Sequence, residues 1–466
     1  MTNLPNSSNG KLKDTTMPEL SAEIFIIPFA EERFIIYAPI RQAAFVGNSQ
    51  VVKLLADLQR GVPDQALAAN SSVLQFFREL KIIDEGIEPL PITSFQGDPE
   101  PTMVTLFLTT ACNLRCTYCY ASAGDTPIKS MKLAVAKRGI DFVADNALKK
   151  RLPFFEVAYH GGGEPTVSWR VMTDSLEYAR DKAAELRIGL RATTATNGVL
   201  SKEKIEWIIQ HLEGASLSFD GLPSVQDTHR LTVLGQGSST QVIHTMRCFD
   251  EAKFPYGIRM TITADQIPLL PESVEYVCAT FRPQRIQVEP AYELGRYKGS
   301  PSAETEAFIN AFRTAQQRAR PYGQEIFFSG ARLGILTNHF CGVTQDGFAL
   351  TPDGNVSGCY EVFSEDNPLA KTFIYGEPDK KNKGYKFELP VLNNLRQQAV
   401  QQRPFCQGCF AKWTCAGDCY HKSLTVNGQG EFVGSDRCHI IRELTKDQIL
   451  DKIADSGESV WASPVE

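Results

Sequence analysis

Residues 112–119 read Cys112-Asn113-Leu114-Arg115-Cys116-Thr117-Tyr118-Cys119, a C-x3-C-x2-C loop that follows an apolar run from Thr102 to Thr109. Three thiolates this close in sequence can ligate three irons of a cubane cluster. A [4Fe–4S] cluster has four irons, so one is left to hold a substrate or a small cofactor. A closed zinc site asks for four ligands, usually in paired C-x2-C spacing. Three unrelated structural cysteines are the plainer alternative.

Working outward, the chain of 466 residues is long enough for two to four domains. Its net charge of −6 gives no bulk attraction to nucleic acid. No apolar stretch is long enough to span a membrane, and the polar segment from Met1 to Met17 is not a signal peptide. Twelve cysteines without an export signal argue for metal rather than disulfides, and so for a reducing cytoplasm.

Residues 1–20 are rich in Asn, Ser, Thr and Lys and read as a disordered tail. A separate module follows over 21–95. Three β-like runs, Glu23 to Phe29, Arg33 to Ala38 and Gln42 to Val46, precede two helical patterns. The first pattern is Val51, Leu54, Leu55 and Leu58; the second is Val73, Phe76, Phe77 and Leu80. Gly61-Val62-Pro63 separates them, and residues 86–100 read as a linker.

From residue 96 to 320 the chain alternates strand and helix six times. Strands are predicted at 102–109, 154–159, 189–195, 215–219, 256–263 and 285–290, with helices at 130–149, 170–186, 202–211, 239–253, 271–281 and 303–319. Such alternation implies βαβ units on a parallel sheet, and right-handed crossovers curl it one way. The prediction is an α/β fold with a partial (β/α)6 barrel. Chemistry on such barrels gathers in the loops after the strands, and the cysteine loop follows the first.

After the second strand comes His160-Gly161-Gly162-Gly163-Glu164-Pro165-Thr166, and after the third Thr196-Asn197-Gly198. After the fourth comes Ser218-Phe219-Asp220-Gly221, leading to Asp227 and Arg230. Together with the cysteine loop these segments resemble the radical S-adenosylmethionine (SAM) enzymes. The resemblance implies that the open iron binds the amino and carboxylate groups of SAM, with Tyr118 beside the adenine. It makes Gly162, Gly163 and Glu164 partners of the SAM amino group, with Glu164 exposed in a loop above the barrel. Ser218 and Arg230 become candidate partners of the SAM carboxylate, Arg230 through its two-pronged donor, and Arg259 on the fifth strand is another. Relatives often carry a histidine where this chain has Gln226, so no role of that histidine carries over. Glu289, on the sixth strand, points either into the barrel or out of it. Cys248 and Cys278 lie in apolar helical patterns and read as core thiols.

The remaining cysteines form a second constellation over 321–445: Cys341, Cys359, then Cys406-x2-Cys409-x5-Cys415-x3-Cys419, then Cys438, with Gly354 five residues before Cys359. A pair of zinc ribbons would use similar spacing. The series closely resembles the seven-cysteine pattern of the SPASM extension of peptide-modifying radical SAM enzymes. By that resemblance Cys406, Cys409, Cys415 and Cys438 hold one auxiliary [4Fe–4S] cluster, and Cys341, Cys359 and Cys419 hold another with no evident fourth ligand. Three [4Fe–4S] clusters are then expected, one with SAM and two auxiliary. Residues 362–400 read as an insertion or substrate-facing loop, and 446–466 as a C-terminal tail.

The order of strands and helices in 21–95 resembles the small winged-helix domain that binds leader peptides of ribosomally made natural products. Physically, a sheet edge beside a helix groove lets an extended peptide add as a strand. The resemblances together imply a peptide maturase that uses a 5′-deoxyadenosyl radical to oxidise a ribosomal precursor peptide, with a carbon–sulfur or carbon–carbon crosslink as product. The implied partners are that precursor and an electron donor such as flavodoxin or ferredoxin. A formylglycine generator of the sulfatase-maturase kind is the alternative enzyme. Those relatives commonly place an aspartate directly after an auxiliary-cluster cysteine, whereas Cys359 is followed by Tyr360. A non-catalytic metal-ribbon scaffold that binds a peptide is a third reading.

Overall fold

The structure is a computed structural model that describes residues 20, 23–61, 70–85, 90–125, 127–299, 304–428, 431–457 and 460–462. Nearly all of the predicted 1–20 tail, and Val62-Pro63 of the predicted separator, lie outside the described residues. The chain divides into two units, residues 1–92 with 446–466, and residues 93–445.

In the first unit, strands β1 (Phe25–Ala30), β2 (Arg33–Ala38) and β3 (Ala43–Asn48) form an antiparallel meander. Asn48 ends β3 and caps helix α1 (Ser49–Gln59), its side-chain oxygen accepting from Gln50 N at 3.0 Å and Val51 N at 3.1 Å. Helix α2 spans Ser71–Glu79. Ile36 and Phe45 of the sheet pack with Leu54, Leu55 and Leu58 of α1 and Leu74 and Phe77 of α2. The predicted C-terminal tail is different in the structure. Val460–Ala462 is a strand, antiparallel to β3, with Trp461 opposite Ala44 and its ring stacked on Tyr37 at 6.5 Å. The sheet order is therefore β1-β2-β3 with Val460–Ala462 on the far side of β3. Sequence periodicity cannot register three residues whose partner is so distant.

The second unit contains the six predicted repeats. Strands β4 (Met103–Phe107), β5 (Phe154–His160), β6 (Gly189–Thr196), β7 (Gly214–Ser218), β8 (Tyr256–Ile262) and β9 (Arg285–Pro290) lie side by side in chain order, all parallel. The crossover helices are α3 (Leu133–Lys149), α4 (Trp169–Leu186), α5 (Lys202–His211), α6 (Pro223–His229) with α7 (Ser239–Glu251), α8 (Leu270–Thr280) and α9 (Thr305–Ala319). In α3, Ala136, Ile140, Val143, Ala144 and Ala147 recur at helical spacing and are buried against the sheet. Cys278 is a buried core thiol and Cys248 packs half-buried at the core's edge.

The sheet continues beyond these strands. β10 (Ile326–Phe327) adds parallel to β9. On the other side β11 (Ala349–Leu350) adds parallel to β4, followed antiparallel by β12 (Val356–Ser357), β13 (Ile374–Pro378) and β14 (Tyr385–Phe387). Residues 362–400 are thus not a plain loop. They supply β13, β14 and a helix over Leu389–Arg396, and bury Phe373, Tyr375, Leu392 and Leu395 in the main core. Their polar composition hides strands too short to show alternation. Among the described residues no helix is long and apolar enough to cross a membrane.

Candidate active site

The cysteine loop leaves the C-terminal end of β4 and is pinned from several sides. Arg115 N donates to Leu231 O at 2.6 Å, and Thr117 N donates to His229 O at 2.9 Å. The Thr117 hydroxyl meets His229 Nδ1 at 2.9 Å, while His229 Nε2 meets Asp265 at 3.0 Å. Arg296, beyond β9, donates Nη1 to Cys116 O at 3.2 Å and Nη2 to Ala123 O at 2.6 Å. Neither His229 nor Arg296 stands out in the sequence, because each reaches the loop only through the tertiary fold.

Burial is the main cause that raises the Cys112 thiol to about 12 and the Cys116 thiol to about 11. The charge of Glu164 adds to the rise at Cys112, and Arg230 opposes it at Cys116. Leu114 N points at Cys112 Sγ from 3.4 Å, and Asn197 Nδ2 from 3.7 Å. All twelve cysteines are free thiols. Three thiols, each within electrostatic reach of the others, with Cys112 also met by N–H donors, match the donor set of a three-cysteine cluster site.

The glycine loop lies directly against this site. Gly163 N donates to Thr109 O at 3.0 Å and Glu164 N to Ala111 O at 2.9 Å. A Cβ on Gly163 would meet Ala111 O at 2.1 Å, and one on Gly162 would meet the Phe363 ring at 2.4 Å. Only glycine permits this approach. Glu164 departs from expectation. It is buried at 3% exposure, not displayed above the barrel. Its Oε1 accepts from Thr166 N (3.1 Å), the Thr166 hydroxyl (2.8 Å) and the Thr196 hydroxyl (2.9 Å), and Oε2 accepts from Asn197 N (2.8 Å). The carboxylate is a brace that ties the glycine loop to the Thr196-Asn197-Gly198 turn. Asn197 in turn donates to Asn113 Oδ1 at 2.7 Å inside the cysteine loop.

Arg230 also departs from expectation. Its Nε and Nη2 are committed to Asp220, at 3.0 and 3.1 Å, in a pair with side-chain exposures of 8% and 0%. Asp220 further accepts from Thr261 N at 3.0 Å and from the Tyr118 hydroxyl. Tyr118 is buried, with the Arg230 guanidinium 5.1 Å above its ring and His229 6.0 Å away. Gln226 takes a bracing position, its Oε1 accepting from Asp220 N at 3.0 Å and its Nε2 donating to Ser238 at 3.1 Å. Ser218 and Arg259 are brought together. They are register partners on β7 and β8, so their side chains leave the same face of the sheet. Arg259 is exposed, and its charge reaches His160, Tyr120, Glu289 and Glu361. Glu289 meets Arg437 Nη1 at 3.2 Å and accepts from Ser329 N at 2.8 Å.

The seven C-terminal cysteines fall into two electrostatic sets. Cys415 feels Cys438, Cys409 and Cys406, and Cys406 feels Cys409 and Cys438. Cys359 feels Cys419 and Cys341, and Cys419 feels Cys341. Burial raises the pKa of every one of these thiols first. The sets hold four and three thiols. Tyr120 is within electrostatic reach of both constellations. Burial raises its phenol, the charges of Cys119 and Cys359 add to the rise, and its hydroxyl donates to Gly161 O at 2.8 Å.

The radical SAM superfamily description matches residues 106–282. The chain carries a radical SAM domain. An uncharacterized protein of Methanocaldococcus jannaschii is 30% identical over 177 residues, 37% of this chain and 57% of that protein. The chain spans about half the length of the curated relatives it matches. A structure titled "Native anSMEcpe with bound AdoMet" shares the fold at TM-score 0.59 and 17% identity, covering 76% of this chain and 99% of that one. Streptococcus suis SuiB bound to its precursor peptide SuiA reaches TM-score 0.50 at 16% identity, covering 90% of this chain and 99% of that one. The α/β architecture, with its six parallel strands in chain order, is therefore a fold shared with these solved structures.

Proposed function

We propose that the chain is a radical SAM maturase that oxidises a ribosomal precursor peptide and closes an intrapeptide carbon–sulfur or carbon–carbon bond. One observation carries the reading most of the way: a three-thiol loop and a four-plus-three set of thiols occupy one unit, and half-buried Tyr120 is within electrostatic reach of a thiol from each constellation. The bound cluster and SAM would supply a 5′-deoxyadenosyl radical able to take hydrogen from an unactivated C–H bond. Cys112, Cys116 and Cys119 would hold the radical cluster. Ser218 and Arg259 would take the SAM carboxylate at the open face of β7 and β8. Gly162 and Gly163 let the backbone approach SAM, while Glu164 braces that loop and the Arg230–Asp220 pair anchors Tyr118. Cys406, Cys409, Cys415 and Cys438 would hold one auxiliary cluster, and Cys341, Cys359 and Cys419 the other. The surplus electron from bond closure would leave through these sites.

Leader recognition would fall to the first unit, where β1 offers an edge for an added strand. The formylglycine alternative asks for an acid directly after Cys359. Tyr360 stands there, its hydroxyl within 2.9 Å of the Thr105 hydroxyl. The deciding experiment is anaerobic incubation with SAM, dithionite and any short precursor-like peptide found in a neighbouring reading frame. The expected result is 5′-deoxyadenosine together with a peptide lighter by two hydrogens. Deoxyadenosine without peptide modification, and formylglycine on a sulfatase peptide, would overturn the reading in favour of the alternative.

A further inference from the structure

Three thiolates leave one corner of a four-iron cluster without a protein ligand. The set Cys341, Cys359 and Cys419 has such a corner, and two polar side chains, His421 buried and Glu361 half-buried, meet beside it. Glu361 lies two residues beyond Cys359, on a turn closed by Val362 N to Cys359 O at 3.1 Å. His421 lies two residues beyond Cys419. The two meet with Glu361 Oε2 3.0 Å from His421 Nδ1, at side-chain exposures of 21% and 1%.

Yet neither atom has a hydrogen-bond partner of good geometry, though both are buried. A buried carboxylate oxygen left this way costs free energy unless a cation or donor meets it. The surroundings are fixed. His421 stacks on Phe373 at 5.5 Å and 28°, and Phe373 O receives Gly358 N at 2.9 Å, next to Cys359. Glu361 O is held by Asn367 Nδ2 at 3.2 Å. Of the pair, it is the carboxylate whose charge reaches all three thiols.

We propose that the Glu361 carboxylate is the fourth protein ligand of the cluster held by Cys341, Cys359 and Cys419, with His421 orienting it from behind. Ligating carboxylates are generally held by such an outer partner, and oxygen donors are ordinary ligands of iron in protein sites. The assignment closes the site that the cysteine series leaves open. An incoming substrate thiolate then has to displace Glu361 to reach iron. The proposal rests on the reading of these three thiols as cluster ligands, and its test separates the two.

The test uses the full chain with Cys112, Cys116 and Cys119 replaced by Ala, so that only the C-terminal clusters remain and no SAM chemistry is read. Parent, Glu361→Gln and Glu361→Cys forms are prepared anaerobically. Iron and sulfide are counted, and the reduced clusters are recorded by electron paramagnetic resonance. Glu361→Gln should alter the signal of one cluster, leave the other unchanged, and yield a three-iron signal on brief oxidation. Glu361→Cys should keep full iron, resist that loss and show a changed signal for the same cluster. If Glu361→Gln does not fold, the Glu361→Cys spectrum decides. Signals and iron retention identical to the parent in the variants would overturn the assignment, as would a parent signal that shifts on adding cyanide, which marks an open iron. A parent without iron–sulfur absorption overturns both this assignment and the reading beneath it.

Discussion

Arg230 grips Asp220 with two nearly parallel hydrogen bonds, Nε to Oδ2 at 3.0 Å and Nη2 to Oδ1 at 3.1 Å, in a setting almost closed to water. Removing one member of a buried pair leaves the other charge uncompensated, at a cost of roughly 3–5 kcal/mol. Asp220→Asn should therefore lower the urea or thermal midpoint of the second unit and weaken SAM cleavage with it. An Asp220→Asn protein as stable as the parent would mean that solvent or another anion already serves Arg230.

Glu164 gives a second contrast. Glu164→Ala strands two N–H groups and two hydroxyls that now share one carboxylate. Each unsatisfied buried donor costs about 1–3 kcal/mol. The variant should lose folding stability and SAM affinity together, with Glu164→Gln falling between, since its carbonyl still accepts. Calorimetry showing weakened SAM binding in a fully stable Glu164→Ala protein would return Glu164 to the role of a direct SAM contact.

Acid should act through Glu289. Burial raises its pKa, but Arg437, with Lys422, Arg259 and the Ser329 N–H after it, outweighs burial and holds the carboxyl at about 2. A depressed folded pKa contributes stability that is complete above the unfolded value near 4.5 and is lost as pH falls toward 2. The contribution is on the order of 3 kcal/mol. Denaturation midpoints measured between pH 5 and pH 2.5 (about the accessible window) should fall less steeply for Glu289→Gln than for the parent. Parallel slopes would remove Glu289 as a source of acid lability.

The radical site is tested by its ligands. With Cys112, Cys116 and Cys119 all changed to Ala, about a third of the iron and all 5′-deoxyadenosine formation should disappear, since one of three expected clusters is lost. Continued SAM cleavage by that protein would exclude the loop as the radical site.

Peptide docking is tested on the first unit. Val460–Ala462 already covers the outer side of β3, so the leader is expected on β1. Deleting residues 458–466 should change the affinity for a labelled leader segment by less than about twofold, a few tenths of a kcal/mol. A gain of about tenfold in an anisotropy titration would instead place the peptide on β3, in competition with that strand.

The barrel was legible because each repeat writes itself locally: a short apolar run such as Phe154–His160, a turn, then helical spacing as in α4. The cysteine loop was legible for the same reason, since its three thiols are neighbours in sequence. Glu164 was misplaced because a glycine-rich segment reads as a surface turn. Its burial depends on Thr196 and Asn197, which only the fold brings near. Asp220 and Arg230 are close in sequence, yet nothing local says that they bind each other rather than a ligand. The strands β10 to β14 have two to five residues each, too few for alternation to stand out.

The strand Val460–Ala462 bears on how the molecule is made. The outer backbone groups of β3 find their partners only after everything between Asn48 and Val460 has been synthesised. Through that interval the edge is an open template for any extended segment nearby, including the same edge of a neighbouring nascent chain. Yield at high expression should thus be limited by mispairing at Ala43–Phe45, and slower translation should not relieve it, because the missing strand is made only after the whole of residues 93–445.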